Sequence, residues 1–119
     1  MYETKDLRIG NYLARRDGSI FPVTVDDIMN INKFPPYLRP IPVILSEELI
    51  IEMGGQQYPE RKDLYKLDKF VLVMDEDGDV GIVTGNFVCE LSLCHLKYVH
   101  QLQNLIYSIT GIELKLKEI

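Results

Sequence analysis

At 119 residues the chain has the length of one ordinary domain, and a single domain over residues 1–119 is the expectation. A hydrophobic content of 46% excludes disorder as the default, and the longest apolar runs, such as Phe70 to Met74, fall far short of the roughly 20 residues of a membrane-crossing helix. The net charge of −5 sits in the middle of the chain: residues 20–60 come to −4 and 61–80 to −2, against +1 for 1–19 and zero for 81–119, so summing by segment finds no concentrated basic footprint for nucleic acid.

Leu7 to Arg15 reads as a strand, weakened at Gly10, where glycine marks a bulge or sharp bend. Arg16-Asp17-Gly18-Ser19 is a hairpin turn, and Ile20 to Val25 is the returning strand, with an extended continuation through Ile28 and Ile31. Pro22 cannot donate to a ladder and assigns its strand to a sheet edge. Pro35, Pro36, Pro40 and Pro42 make residues 33–42 an extended connector packed on the body of the protein. A short helix follows over residues 46–53, with Ser46 as its cap, Glu47 and Glu48 in the first turn and Gly54 or Gly55 closing it. Gln56 to Lys69 is polar and reads as loop, with Tyr58, Leu64, Tyr65 and Leu67 as anchors. Phe70–Met74, Val80–Val83 and Phe87–Leu91 then form an antiparallel meander with the first of them central.

The strongest helical pattern runs from Leu96 to Thr110. Val99, Leu102, Leu105, Ile106 and Ile109 share one face, Tyr98 lies at its margin, and Gly111 ends it. Ile112 to Lys117 alternates and predicts a final strand. The expected fold class is therefore α+β: an N-terminal β-hairpin or small curled barrel, an antiparallel β-meander with a C-terminal helix packed on the sheet, and a final strand.

Chemistry-bearing residues are sparse. Cys89, Cys94, His95 and His100 lie within twelve residues and are weak candidates for zinc, because the Cys-x4-Cys/His-x4-His spacing matches no usual finger. A cysteine–histidine nucleophilic pair would also need contact and an orienting third group. Asp75-Glu76-Asp77-Gly78-Asp79 places glycine fourth where a calcium loop needs it sixth, and a hairpin turn accounts for it. Gly10-Asn11 is no phosphate loop, since no second glycine stands at the required spacing. Neither a catalytic set nor a cofactor is expected.

The most informative surface is the polar side of the last helix. His100, Gln103 and Tyr107 form a stripe, joined by Lys97, Gln101 and Asn104. Amides, an imidazole and a phenol suit a protein interface or a sheltered internal network. Asn and Gln could also read adenine edges, but without electrostatic support. The leading expectation is a non-catalytic module that binds a protein partner or forms a homodimer. A small-barrel nucleic-acid-binding module is the alternative, and a metal- or thiol-dependent enzyme the third. No secretory leader is read at Met1 to Asp6, and the two cysteines suggest reduced thiols in a cytoplasm.

Tyr98-Val99-His100-Gln101-Leu102-Gln103-Asn104-Leu105, followed by Thr110-Gly111-Ile112-Glu113-Leu114, resembles the C-terminal signature of a family of small uncharacterised proteins from Bacteroides-type genomes, prophages and phages. Leu7-Arg8-Ile9-Gly10-Asn11-Tyr12 and Ile41-Pro42 leading into Leu45-Ser46-Glu47-Glu48-Leu49 fit the same pattern. Ile106-Tyr107-Ser108-Ile109 and the Pro35-Pro36 connector depart from it. The resemblance carries no activity or binding residues. It implies a mobile-element or phage accessory protein acting in a bacterial cytoplasm.

Overall fold

In the computed structural model, which describes residues 6–67, 70–76, 78–84 and 96–116, the chain divides into two units. Unit 1 takes the described residues of 1–44 and 98–114; unit 2 takes those of 45–97 and 115–118. The fold class is α+β, with antiparallel sheets of three and four strands and a C-terminal helix. Neither sheet closes into a barrel among the described residues.

Unit 1 begins with a hairpin of β1 (Tyr12–Ala14) and β2 (Ile20–Pro22), joined by the expected Asp-Gly turn. The turn is closed by Arg15 N to Ser19 O (2.8 Å) and Gly18 N to Arg15 O (2.9 Å). A third strand, β3 (Ile41–Pro42), pairs on the other side of β1, giving the order β2-β1-β3. Pro22 and Pro42 therefore both sit on edge strands, where a missing N–H breaks no ladder. The single central strand carries the buried Leu13, which joins Val23 and Ile31 in the core.

Two local expectations give way here. The stretch beyond Pro22 is not extended: α1 (Val25–Asn30) starts at Thr24, whose hydroxyl accepts from Asp27 N while Asp27 Oδ2 accepts from Thr24 N. That reciprocal box satisfies two amides that would otherwise be orphaned at the helix start. A 3₁₀ turn over Ile31–Lys33 continues it, and a second over Pro36–Leu38 breaks the proline connector.

The C-terminal helix α3 (Val99–Thr110) belongs to unit 1 and lies against β1, so the sheet it covers is the N-terminal one. It starts later than Leu96, because the chain before it is tied by a bridge between Ile44 and Tyr98 and by Val99 N to Val43 O (2.8 Å). It ends at Gly111, whose φ of +75° turns the chain and whose amide caps Tyr107 O at 2.8 Å. Residues 112–116 join neither sheet, yet Leu114 and Leu116 are buried while Ile112, Glu113 and Lys115 are exposed or half-buried, so the alternation holds over these residues without a ladder.

Unit 2 opens with α2 (Glu47–Glu52), capped by Ser46 Oγ as expected (Leu49 N at 3.3 Å). Its sheet has the order β4-β5-β6-β7, from β4 (Gln56–Gln57), β5 (Leu64–Leu67), β6 (Phe70–Met74) and β7 (Val80–Thr84). The first two strands of the expected meander pair as β6 and β7, and β6 is internal, with Phe70 and Leu72 buried. Residues 56–67 supply two strands rather than a loop. Tyr65 and Leu67 alternate with Lys66, so three of the expected anchors, Leu64, Tyr65 and Leu67, are strand positions, and Tyr58 lies just beyond β4. The expected strand at Phe87–Leu91 lies outside the described residues. No helix among the described residues is long and apolar enough to cross a membrane.

Candidate functional site

The polar side of α3 is reached first. The buried stripe of this helix holds Val99, Leu102 and Ile106, as its periodicity requires, together with His100 (3% exposed) and Gln103 (0%). Ile109, placed by periodicity on the apolar face, is 54% exposed. The helix is thus turned toward its own carboxamides, and hydrogen bonding explains why.

Gln103 behaves like a strand partner for the backbone near β1. Its Oε1 accepts from Tyr12 N (2.9 Å) and more distantly from Asn11 Nδ2 (3.5 Å). Its Nε2 donates to Gly10 O (3.0 Å) and Leu114 O (3.2 Å). A carboxamide offers the same donor and acceptor as a peptide group, so one side chain satisfies backbone atoms from two separate segments.

The segment it meets is a turn over residues 8–11. Asn11 N donates to Arg8 O (3.0 Å), Arg8 N donates to Asn11 Oδ1 (2.6 Å), and Gly10 has φ +94°. The dihedral demands glycine, and a Cβ there would also meet Glu113 Oε1 at 2.7 Å, so the carboxylate would have to shift. Asn11, fully buried, passes the network on: its Nδ2 donates to Asn104 Oδ1 (2.8 Å), which also accepts from Arg8 Nε (3.2 Å). Asn104 Nδ2 donates to Asp6 O (2.9 Å).

Arg8 closes the assembly. Its Nη1 pairs with Glu113 Oε2 at 2.7 Å, its Nη2 donates to Gln103 O (3.4 Å), and its guanidinium lies 4.0 Å from the Tyr107 ring centroid. The stretches 7–12, 98–105 and 110–114 therefore converge on one network inside unit 1.

Of the six residues expected on an interaction face, Gln103 and Asn104 are committed to this network, and His100 is buried with its ring stacked on Tyr98 (5.8 Å, 9°). Burial holds the His100 pKa below its usual 6.5, against a smaller opposing pull from the Asp6 carboxylate. Gln101 Oε1 accepts from Tyr98 N (3.0 Å) at the start of α3. Tyr107 is partly exposed under Arg8, and Lys97, which belongs to unit 2, is exposed. His100, Gln103 and Tyr107 do not form one exposed patch. Cys89, Cys94 and His95 lie outside the described residues. Among the described residues no group of three or more His, Cys, Asp or Glu side chains could hold a metal ion.

A second constellation in unit 1 was invisible in the segment charges. The hairpin turn carries Arg15 and Arg16, and the proline connector carries Arg39. Together with Phe21, Asp27, Phe34, Leu38 and Pro40 they line a cleft of about 330 Å³, the lower end of ligand-pocket sizes. Arg16 Nη2 donates to Pro36 O (3.1 Å), tying turn to connector. Arg39 is held by Phe34 O (2.9 Å) and Asn32 O (3.4 Å). Arg15 lies 4.2 Å from the Phe21 ring centroid.

These partners are neutral. Among the described residues the ion pairs are Arg8 with Glu113 and Arg61 with Asp63, neither in the cleft. The one carboxylate in the lining, Asp27, is bonded to Thr24 N and Thr24 Oγ1. Three guanidinium charges thus face one carboxylate that caps a helix. Phe34 and Leu38 in the lining, and Met29 (67% exposed) and Tyr37 (72%) on the same stretch of chain, leave large apolar surfaces in water. No protein-family model, curated protein or solved structure matches the chain.

Proposed function

We propose that the protein is a non-catalytic binding module that engages a protein partner through the arginine–aromatic face of unit 1. The observation that carries this reading is the composition of one surface. Phe34 and Leu38 are exposed in the cleft that Arg15, Arg16 and Arg39 line, and Met29 and Tyr37 are exposed nearby in the sequence. Met, Arg and aromatic residues are the types enriched where proteins meet, and large apolar side chains grouped at the surface are what a partner would cover. The resemblance to phage and prophage proteins supports an accessory role in a bacterial cytoplasm.

The polar face of α3 contributes differently. Its amides hold unit 1 together, and by positioning the chain around β1 they support the hairpin that carries Arg15 and Arg16.

The test is capture from an extract of the encoding cell, with bound proteins identified and cross-linked to the bait. The expected result is a discrete partner cross-linked within residues 25–39. That partner is lost when Met29 and Tyr37 are both replaced by serine, and kept when the exposed Ile109 is replaced instead. Cross-links elsewhere, or equal capture by the Met29/Tyr37 variant, would remove the reading. A nucleic-acid reading draws on the same arginines and phenyl rings, which resemble a single-strand stacking groove. It predicts salt-sensitive retention of oligonucleotides by the wild-type protein.

A further inference from the structure

We infer that the cleft between the β1–β2 turn and the proline connector takes a carboxylate-rich segment of the partner protein, with Arg15, Arg16 and Arg39 as its anion-recognising groups. This rests on the binding-module reading and names the chemistry of the occupant.

Charge complementarity is the first support. The lining holds three guanidinium groups and one carboxylate, in a chain whose net charge is −5. A local positive cleft on an acidic protein attracts an anionic segment at short range, while the molecule as a whole repels a polyanion. A long nucleic acid would feel that repulsion along its length and would find only three cations to displace its counterions. A short acidic peptide feels mainly the cleft.

The second support is geometric. Arg39 and Arg16 are already oriented by backbone carbonyls at 2.9–3.4 Å, and Arg15 by the Phe21 ring. Guanidinium groups so positioned lose less freedom when they fork a carboxylate, and the planar fork matches a carboxylate in two parallel bonds. Pro35, Pro36 and Pro40 restrict the connector further, since each fixes φ.

The third support concerns the rim. Leu38 and Phe34 line the cleft and are both exposed, with Met29 and Tyr37 exposed nearby in the sequence. Aliphatic surface of this kind calls for aliphatic side chains in the ligand. A peptide of mixed Asp/Glu and Leu/Phe supplies both chemistries, and a sugar-phosphate backbone supplies only the charge.

The probe is an N-acetylated decapeptide in which glutamate alternates with leucine or phenylalanine, titrated into the whole chain. Backbone amides and arginine Nε–H groups are followed by NMR, and affinity by fluorescence anisotropy. The Nε–H signals of Arg15 and Arg39 and the amides of residues 34–39 should shift. Affinity should fall about tenfold when the glutamates become glutamine, and by a similar factor in Arg39→Gln, as expected for one desolvated charge-assisted pair. It should also weaken as salt rises. Arg15→Gln, on the opposite wall, gives an independent variant should Arg39→Gln disturb the connector.

Equal binding of the glutamine peptide would overturn the inference while leaving the binding-module reading intact. No shift at ~1 mM peptide, tighter binding of an oligo-dT strand at the same arginines, or a self-associated state that blocks the cleft and disperses in salt would also overturn it.

Discussion

Arg8 and the trio of Arg15, Arg16 and Arg39 carry the same group on the same unit, but they are satisfied in different ways. Arg8 has a carboxylate at 2.7 Å, a carboxamide at 3.2 Å, a carbonyl at 3.4 Å and an aromatic ring at 4.0 Å. The trio has carbonyls and a ring, and its charge has no ion-pair partner among the described residues. Hydrogen bonds orient both sets, but only Arg8 is held in an ion pair; Arg15 feels the Asp17 carboxylate through charge without pairing with it. Orientation without neutralisation leaves a group positioned and still able to attract, and that difference separates a structural arginine from a recognition arginine in this molecule.

The network side of the comparison is most sharply tested at its centre. Gln103→Leu keeps the volume and removes the carboxamide, leaving Tyr12 N, Gly10 O and Leu114 O without that partner in the interior. Each buried backbone group stranded this way costs about 1–3 kcal/mol, so a total loss of roughly 3–4 kcal/mol is expected. Urea unfolding followed by tyrosine fluorescence measures it. A loss below about 1 kcal/mol would mean that water replaces the carboxamide freely, and the distinction from the cleft would collapse. Gly10→Ala comes next, at about 2 kcal/mol, from a positive φ and a Cβ placed 2.7 Å from Glu113 Oε1. Because the carboxylate must then move, the same variant should also alter the Arg8 Nε–H resonance.

How much of this was readable in advance depended on the range of the interaction. The Asp-Gly turn, the Ser46 cap, the Gly111 stop and the edge position of Pro22 are decided within a few residues, and each appears where local chemistry puts it. The capping box at Thr24 is equally local, but its fourth residue is Asp27 rather than Glu or Gln, and Val25, Ile28 and Ile31 also suit an extended reading. Hydrophobic periodicity located α3 and misjudged its rotation, because it counts apolar residues and cannot see a carboxamide satisfying a distant backbone. The cleft was hidden for a related reason. Arg15 and Arg39 are 24 positions apart in the sequence and belong to different charge segments, in each of which neighbouring acids offset them.

His100, buried on the same helix as Gln103, gives unit 1 a pH dependence. Its pKa is lowered in the folded protein, chiefly by burial, while the unfolded chain holds it near 6.5. Above pH 6.5 both states are neutral at this residue and stability is undiminished. As pH falls below 6.5 the unfolded chain takes the proton first, so stability declines until the folded pKa is passed and then levels off. The exposed carboxylates with lowered pKa, Asp17 and Asp63, act only below about pH 4, outside that window. Urea midpoints between pH 7.5 and 5 should therefore fall in the wild-type protein and flatten in His100→Phe, which keeps an aromatic ring beside Tyr98. An unchanged slope in that variant would place the titrating group elsewhere.

The smallest expected effect bears on the comparison most directly. Arg39→Gln and Arg8→Gln make the same chemical change, and each removes a guanidinium that donates to backbone carbonyls. Counting hydrogen bonds alone would predict similar losses. Counting charge predicts otherwise. Arg8→Gln leaves the partly buried Glu113 carboxylate without its partner, and after allowance for its solvent exposure should cost about 1–2 kcal/mol. Arg39→Gln strands no carboxylate, relieves repulsion within the trio, and should change stability by no more than about 0.5 kcal/mol in either direction. Paired urea titrations at low and high salt separate the two. The Arg8 loss should shrink as salt screens the Arg8–Glu113 pair, and the Arg39 difference should stay near zero or turn slightly favourable at low salt, where like charges repel most. Equal losses in the two variants would mean that Arg39 is as structural as Arg8, and the cleft would have no orientable charge to offer a partner.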